Sequence, residues 1–362
     1  MTKSKILFCH TGRSSFVISD LKILESDYEV FEYQYKPSGH WAGKFLNLVQ
    51  SGFIAIKYVS RVDIVYSFFA GFHCFFPFIL AKILKTKTVV VIGGYDAVSV
   101  PVIKYGIFYK RNLLSFCTKI IFRFADYLLP VHNSLIMSHN QYLSNEDKNA
   151  KVGISHFVAQ VNGKIADVPT GYDPEVFKRN VSITRKAGVL SVASIEKEQD
   201  FIRKGFDFIF EAAGKMPEVE FVLAGFNEKM LNKLKRTKPR NLKLKGFLPK
   251  EELIDLYSEY KIFLQPSLCE GLPNTLCEAM LCECIPIGSA VCGIPDVIHD
   301  TGYIIKSKDI TELIKSVESA LSDEGSFGLS ARQRIINEFS FSKRQQTIND
   351  IFDHCLNTQG NF

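Results

Sequence analysis

The sequence predicts a two-domain α/β protein in which each domain alternates parallel strands with helices. Three observations carry this. The chain has 362 residues, more than twice a typical domain of about 150. Short apolar runs, among them Lys5 to Cys9, Val62 to Phe69 and Thr88 to Ile92, end in polar or glycine-containing loops and lead into helical apolar spacing. The same pattern restarts at Val189 to Ala193, after the polar linker Lys178 to Lys186. The predicted division is therefore an N-terminal domain over residues 1–180, a second over 181–341, and a final helix over 342–362.

Composition narrows the class. Apolar residues make up 46% and charged residues 23% of the chain, the proportions of a globular protein rather than a disordered one. Its nine cysteines follow no disulfide framework, and no leader-like segment opens the chain, so a cytoplasmic location is expected. Cys269, Cys277, Cys282, Cys284 and Cys292 cluster in sequence but lack the paired spacing of structural zinc; small buried thiols explain them and no metal or other cofactor is expected. A net charge of +6 suits an anionic ligand or an anionic membrane face and is too weak to argue for nucleic acid.

In chain order, the first strand empties into His10-Thr11-Gly12-Arg13-Ser14-Ser15, a loop placed to approach a ligand, and a helix follows from Phe16. Arg13 is either a ligand contact or a surface charge. Glu29 to Tyr35 alternates like a strand. No formal charge interrupts Ile64 to Ala81, but Gly71, His73 and Pro77 do interrupt it, so a buried strand and a core helix from Phe72 to Leu84 are predicted rather than a membrane span. Thr88 to Ile92 ends at Gly93-Gly94-Tyr95-Asp96, a turn at the carboxyl end of a parallel strand and so at the expected ligand edge.

From Pro101 to Phe124 five cations, Lys104, Lys110, Arg111, Lys119 and Arg123, stand among aromatics with no acid. That stretch either meets an anionic bilayer or forms an amphipathic helix with a solvated basic face. His132 reads as a helix-start residue. In the second half, Lys204-Gly205-Phe206-Asp207 opens a helix; a cation there is disfavoured by the helix dipole, which points to a ligand role for Lys204.

The chemistry concentrates between residues 264 and 288. Ile262 to Leu264 is a strand, Pro266 to Pro273 a loop, and Asn274 stands at the expected N-cap of a helix over Thr275 to Leu281. Glu270 lies in the loop and Glu278 about one turn into the helix. A helix N-terminus suits a phosphate, and ionised carboxylates accept hydrogen bonds from diols. Hydroxyls at both ends of a pyrophosphate describe a nucleotide-sugar.

Glu270-Gly271-Leu272-Pro273 followed by Glu278-Ala279-Met280 resembles the E-x7-E signature of retaining glycosyltransferases of the GT-B architecture, most closely family 4. Ile165 to Thr170 followed by Gly171 to Phe177, and Ile335 to Phe341 with the helix Ser342 to Leu356, are also similar to family segments. The resemblance implies two Rossmann-like domains facing a central cleft, with the last helix crossing back onto the first domain. It implies that Glu270 contacts the donor sugar, that Glu278 binds the ribose, and that Gly271, Leu272, Pro273, Asn274 and Thr275 meet the diphosphate. Lys204 would grip the phosphates, with Arg203 compensating for Ser194, which stands where the family carries an arginine. Gly246, Phe247 and Leu248 would hold the base, Gly12 and Arg13 the diphosphate or acceptor. Two further departures are Asp96, where many members place a catalytic-site histidine, and Glu283, near a usual glycine. The implied activity is metal-independent transfer of a sugar to a glycan or lipid-linked acceptor, in polysaccharide, lipopolysaccharide or glycolipid synthesis, at the inner face of the membrane. A catalytically silent subunit binding a glycan or partner enzyme, or a sugar epimerase, are the alternatives.

Overall fold

The computed structural model describes residues 3–36, 40–324 and 326–357; the last five residues of the predicted terminal helix lie outside them. The first half contains β1 (Lys5–His10), α1 (Ser15–Asp27), β2 (Glu29–Gln34), α2 (Trp41–Tyr58), β3 (Ile64–Phe68), α3 (Phe72–Leu84) and β4 (Lys87–Ile92). It continues with β5 (Val98–Ser99), α4 (Leu113–Phe124), β6 (Tyr127–Pro130), α5 (Gln141–Glu146), β7 (Lys151–Val152) and β8 (Lys164–Ile165). The second half runs β9 (Lys186–Ile195), α6 (Glu198–Arg203), α7 (Phe206–Lys215), β10 (Glu220–Phe226), α8 (Glu228–Leu234), β11 (Leu242–Gly246) and α9 (Lys250–Glu259). Then come β12 (Tyr260–Gln265), α10 (Asn274–Leu281), β13 (Ile285–Ser289), α11 (Ile294–Ile298), β14 (Tyr303–Ile305), α12 (Ile310–Ser322), α13 (Ser326–Glu338) and α14 (Phe341–Asn357).

Two parallel sheets result, ordered β2-β1-β3-β4-β6-β8 and β11-β10-β9-β12-β13-β14. Their central strands are buried on both faces, which is why Val65, Val89–Ile92 and Ile262–Leu264 read as unbroken apolar runs. In each sheet the chain direction of travel reverses once, between β1 and β3 and between β9 and β12. Such switch points open crevices at the carboxyl ends of the strands, where ligands bind. These are two Rossmann-like domains, as the sequence predicts.

Right-handed crossovers sort the helices. The step from β1 to β2 runs opposite to the later steps, so α1 covers one face of the first sheet and α2, α3 and α4 cover the other, with α3 touching both neighbours. The last helix, α14, returns to the α1 face. Phe352 packs against Tyr28 and Tyr66, and Arg344 Nε and Nη2 donate to Asp20 at 2.6 and 2.8 Å. Asp20 also accepts from Tyr66 at 2.6 Å, and Arg344 Nη1 donates to the carbonyls of Val168 and Pro169.

Three local expectations are corrected. Pro101 to Phe124 is not one helix: two 3-10 turns, Pro101–Ile103 and Ile107–Tyr109, precede α4, whose capping box closes between Asn112 and Ser115. Gly106 breaks the run, because its φ is +96° and a Cβ there would lie 2.1 Å from the Val98 carbonyl oxygen. Asn274 is not an N-cap. Pro273 takes that position without a side-chain bond, and Asn274 is the first helical residue. Glu283, where the resemblance expects glycine, adopts a left-handed φ of 62° after α10, and Arg179 holds its carboxylate at 3.1 Å.

Arg344 and Asp20 are 2% and 1% exposed, so Arg344→Leu strands a buried carboxylate. Urea unfolding should register a loss of about 3–5 kcal/mol, with earlier proteolytic release of α14. A loss under about 1 kcal/mol would mean that the pair is compensated elsewhere.

Candidate active site

Glu270 sits at the β9/β12 switch point, in the loop that leaves β12. It is buried, and its Oε1 accepts from Lys204 Nζ at 2.5 Å, Ser267 Oγ at 2.8 Å and Gln265 Nε2 at 3.1 Å. Arg203 stands 4.0 Å from Oε2. Burial pushes the carboxyl up, but the Lys204 and Arg203 charges and the hydrogen bonds from Lys204 and Ser267 outweigh it and hold the group below its ordinary range.

The cations reach this position because of a glycine. Gly205 has φ +70°, and a Cβ there would lie 2.1 Å from the Pro266 carbonyl oxygen, so only glycine lets the Lys204 turn lie directly on the Glu270 loop. Ser194, Arg203 and Lys204 line one cavity of about 350 Å3 with Glu270, Gly271, Leu272, Pro273, Asn274 and Thr275. Phe16, Phe69, Gly93, Tyr105 and Val131 close it from the first domain. Arg203 also lies 4.6 Å above the Tyr105 ring, a cation–π contact across the cleft.

The domains meet backbone to backbone here. A Cβ on Gly271 would lie 2.3 Å from the Gly93 carbonyl oxygen, and one on Gly94, at φ +129°, would lie 3.2 Å from the Gly271 nitrogen. Gly93-Gly94 therefore faces the cleft by main chain, not through Asp96. Two side-chain links flank the contact. Tyr172 Oη donates to Asn274 Oδ1 at 2.6 Å, and His132 Nε2 pairs with Asp296 Oδ2 at 2.6 Å. His132 also caps the short turn after β6, through Ser134.

Glu278 occupies the next turn of α10. It is buried and accepts from Tyr257 Oη at 3.1 Å; burial pushes its carboxyl up to about 7, against the pull of that bond. It lines a second cavity of about 460 Å3 together with Lys22, Asn274, Tyr172 and Lys250. Phe16, Thr170 and Asn274 border both cavities.

Not every residue singled out in the sequence joins this group. Asp96 accepts from the amides of Gly93, Gly94 and Ala70 at 3.0, 3.1 and 3.4 Å. Held there, it lines a neighbouring, largely aromatic cavity of about 340 Å3 with Thr11, Tyr35, Phe69, His73 and Tyr95, and not the Glu270 cavity. Arg13 is exposed and paired with Glu32 through two nitrogens, one at 2.9 Å, away from both cavities that hold the carboxylates. Gly12 has open space around it. Gly246, Phe247 and Leu248 stand at the end of the edge strand β11, with Phe247 exposed, and only the nearby Lys250 borders the Glu278 cavity.

Tyr172, Tyr257, Tyr105 and the His132–Asp296 pair were not legible as site residues. Each acts through a partner distant in sequence. Eight of the nine cysteines are buried, and among the described residues no group of three or more His, Cys, Asp or Glu is placed to hold a metal.

Residues 174–339 match the family model of glycosyl transferases group 1. A phosphatidylinositol N-acetylglucosaminyltransferase subunit from Arabidopsis thaliana is 22% identical over 267 residues, 67% of this chain and 57% of that protein. A serotype-specific mannosyltransferase, WbdA from Escherichia coli, is 37% identical over 79 residues, 22% of this chain and 10% of that protein. The chain thus spans little more than half the length of the first of these relatives. Among solved structures, a sucrose-phosphate synthase from Thermosynechococcus elongatus superposes with a TM-score of 0.72 at 14% identity, over 98% of this chain and 100% of that one. Anabaena HepE in complex with UDP gives 0.67 at 13%, over 97% and 100%.

Lys204→Met should leave Glu270 buried with Arg203 alone and cost roughly 2 kcal/mol or more at neutral pH. A carboxyl held low lends stability above its ordinary pKa and loses it as pH falls through the folded value. The deficit of Lys204→Met in urea unfolding should therefore shrink in acid, and Glu270→Gln/Lys204→Met should be more stable than Lys204→Met. Equal deficits at neutral and acid pH would show that the pair is not electrostatically coupled.

Proposed function

We propose, on the match of residues 174–339 to the family model of glycosyl transferases group 1, that the chain transfers a sugar from a nucleotide-diphosphate sugar to an acceptor hydroxyl with retention at the anomeric carbon and without a metal. The observation that carries this is the placement of two buried carboxylates on either side of the α10 N-terminus, Glu270 in the loop before it and held by Lys204, Glu278 within the helix.

In this reading the diphosphate lies against the first turn of α10, whose N–H groups have no acceptor within the helix. Asn274 and Thr275 belong to that turn, and both line the Glu270 cavity. Lys204 and Arg203 supply charge to the departing diphosphate, the preorganised stabilisation that transfer without a metal requires. Glu270 fixes the donor sugar. The acceptor oxygen attacks the anomeric carbon from the side of the leaving group, the bond from that carbon to the phosphate oxygen breaks, and the acceptor proton passes to that oxygen. Ribose hydroxyls then reach Glu278 in the adjoining cavity. The acceptor enters from the first domain, by way of the aromatic cavity that shares Phe69 with the Glu270 cavity. A glycan or a lipid-linked glycan in polysaccharide or glycolipid synthesis fits that route, since aromatic faces stack on sugar rings and on apolar chains alike. That HepE was solved with UDP supports a nucleotide-diphosphate donor. Retention of both carboxylates and Lys204 argues against a silent subunit.

Kinetics separate the two roles. Glu270→Gln should lower kcat by roughly a hundredfold or more with little change in donor KM, and Glu278→Gln should chiefly raise donor KM. Wild-type constants in both variants would remove the assignment. The anomeric configuration of the product, read by NMR, tests retention.

Glu278 adds a pH dependence. Its folded value of about 7 lies above the ordinary 4.5, so without ligand the protein loses stability as pH rises through that window. A diol is held by the ionised form, so nucleoside diphosphate should bind more tightly as pH rises through about 7, and Glu278→Gln should flatten the profile. Calorimetry at several pH values checks this.

A further inference from the structure

The outer face of the first domain carries apolar side chains that the rest of the described residues leave exposed. On α2, Phe45, Leu46, Phe53 and Ile56 are between 62% and 74% exposed. At 100° per residue these four positions, with Val49 among them, fall within about a quarter of the helix circumference, while Ser51 and Ala55 on the other side are buried. Ile83 on α3 and Phe116 on α4 add exposures of 71% and 57%. Since α2, α3 and α4 form one layer, these residues share a side of the domain. Between α3 and α4, Phe78, Ile79, Ile83, Ile121 and Phe124 line an apolar groove of about 210 Å3 that Lys82 borders. Exposed apolar side chains gathered on one layer mark an interaction site, unlike singly scattered ones.

Charge says what covers it. Residues 33–125 contain twelve lysines and arginines and two acids, Asp63 and Asp96. Two acids do not balance twelve cations, even with Asp126, next in sequence, paired with Lys82 at 3.3 Å; Asp96 is buried and Asp63 half-buried. The rest of the chain carries more acids than cations. Exposed cations of this layer include Lys57, Lys119 and Arg123, set beside Tyr58, Phe108 and Phe124. A second copy of the chain would bring one strongly basic face against another, which repels. An anionic bilayer is complementary on both counts, attracting the cations and admitting the apolar side chains between its head groups.

We propose that the outer face of the α2–α3–α4 layer is a docking surface for an anionic lipid bilayer, with the exposed stripe of α2 as its inserted element. The surface is wider than residues 101–124, where the sequence suggested bilayer contact, because α2 contributes most of its apolar exposure. Among the described residues no helix is long and apolar enough to cross a membrane, and α2 docks by lying along the surface. The proposal stands apart from the reaction, since binding to vesicles needs neither donor nor acceptor.

The test is flotation of the full chain with vesicles of phosphatidylcholine alone and of phosphatidylcholine with about one-third phosphatidylglycerol. Expected are binding to the anionic vesicles in low salt, little to the neutral ones, and substantial release in about 0.5 M salt. Phe45→Ser/Phe53→Ser/Ile56→Ser should lower the bound fraction roughly tenfold while keeping the wild-type circular dichroism spectrum and nucleoside diphosphate affinity. Lys57→Gln/Lys119→Gln/Arg123→Gln should weaken binding to the anionic vesicles and leave the little that neutral vesicles take unchanged. The proposal is overturned if the wild type stays unbound in low salt, if neutral and anionic vesicles bind it equally, or if the α2 variant floats like the wild type. It is equally overturned if the wild type sediments as a dimer that the α2 substitutions dissolve, since the stripe then serves a second copy.

Discussion

Removing a carboxylate from water costs several kcal/mol unless charge and hydrogen bonds are brought to it, and Glu270 is removed from water at the place where two domains meet. Much of the surrounding geometry follows. Lys204 has to stand within hydrogen-bond reach, so the turn after α6 must lie on the loop after β12, and Gly205 is the residue that permits that approach. Ser267 turns its hydroxyl to the carboxylate, while its carbonyl is fixed by Ser289 Oγ at 2.6 Å. On the far side Gly271 has no Cβ because the Gly93 carbonyl occupies the space. One compensated charge thus ties together β9, β12, β13 and the end of β4.

Several contacts across the seam between the domains are polar or main-chain. Backbone apposition at Gly93 and Gly271, the Tyr172–Asn274 bond and the His132–Asp296 pair are each exchangeable for water at modest cost. By contrast, Asp20 and Arg344 cannot separate without exposing an unpaired buried charge to an apolar interior. The return of α14 onto α1 is therefore the attachment between the halves that costs most to break.

How much of this the sequence disclosed depends on whether a signal is local. Apolar runs and the restart at Val189 gave the two parallel sheets, because a doubly covered strand must be apolar along its whole length. The carboxylates and Lys204 were legible since they lie in short segments whose turn and helix chemistry is readable. Asn274 misled for a definable reason: it is a good N-cap by residue type, but its amide oxygen is spent on Tyr172, 102 positions away. Asp96 and Arg13, whose roles the sequence leaves open, are engaged locally, one by backbone amides and the other by Glu32. The exposed stripe of α2 escaped notice because helical apolar spacing alone does not say which side of a helix is buried; only the packing of Ser51 and Ala55 inward decides it.

Geometry relates the docking face to the reaction cleft. Ligand crevices open at the carboxyl ends of the strands, along the edge of the first sheet, whereas α2, α3 and α4 lie across its face. A bilayer spread over that layer therefore stands beside the cleft mouth rather than over it, leaving donor free to enter from solution. The aromatic cavity ending in Phe69 is bordered by Phe72 and His73 at the start of α3 and by Leu114 at the start of α4, the same helices whose outer sides carry Ile83 and Phe116. An acceptor with an apolar tail in the membrane would pass along those helices to Phe69, and Phe69 borders the cavity that holds Glu270. On the two proposals together, the halves would divide the task by solvent: the donor half would meet a water-borne anion, and the basic, aromatic half the lipid surface.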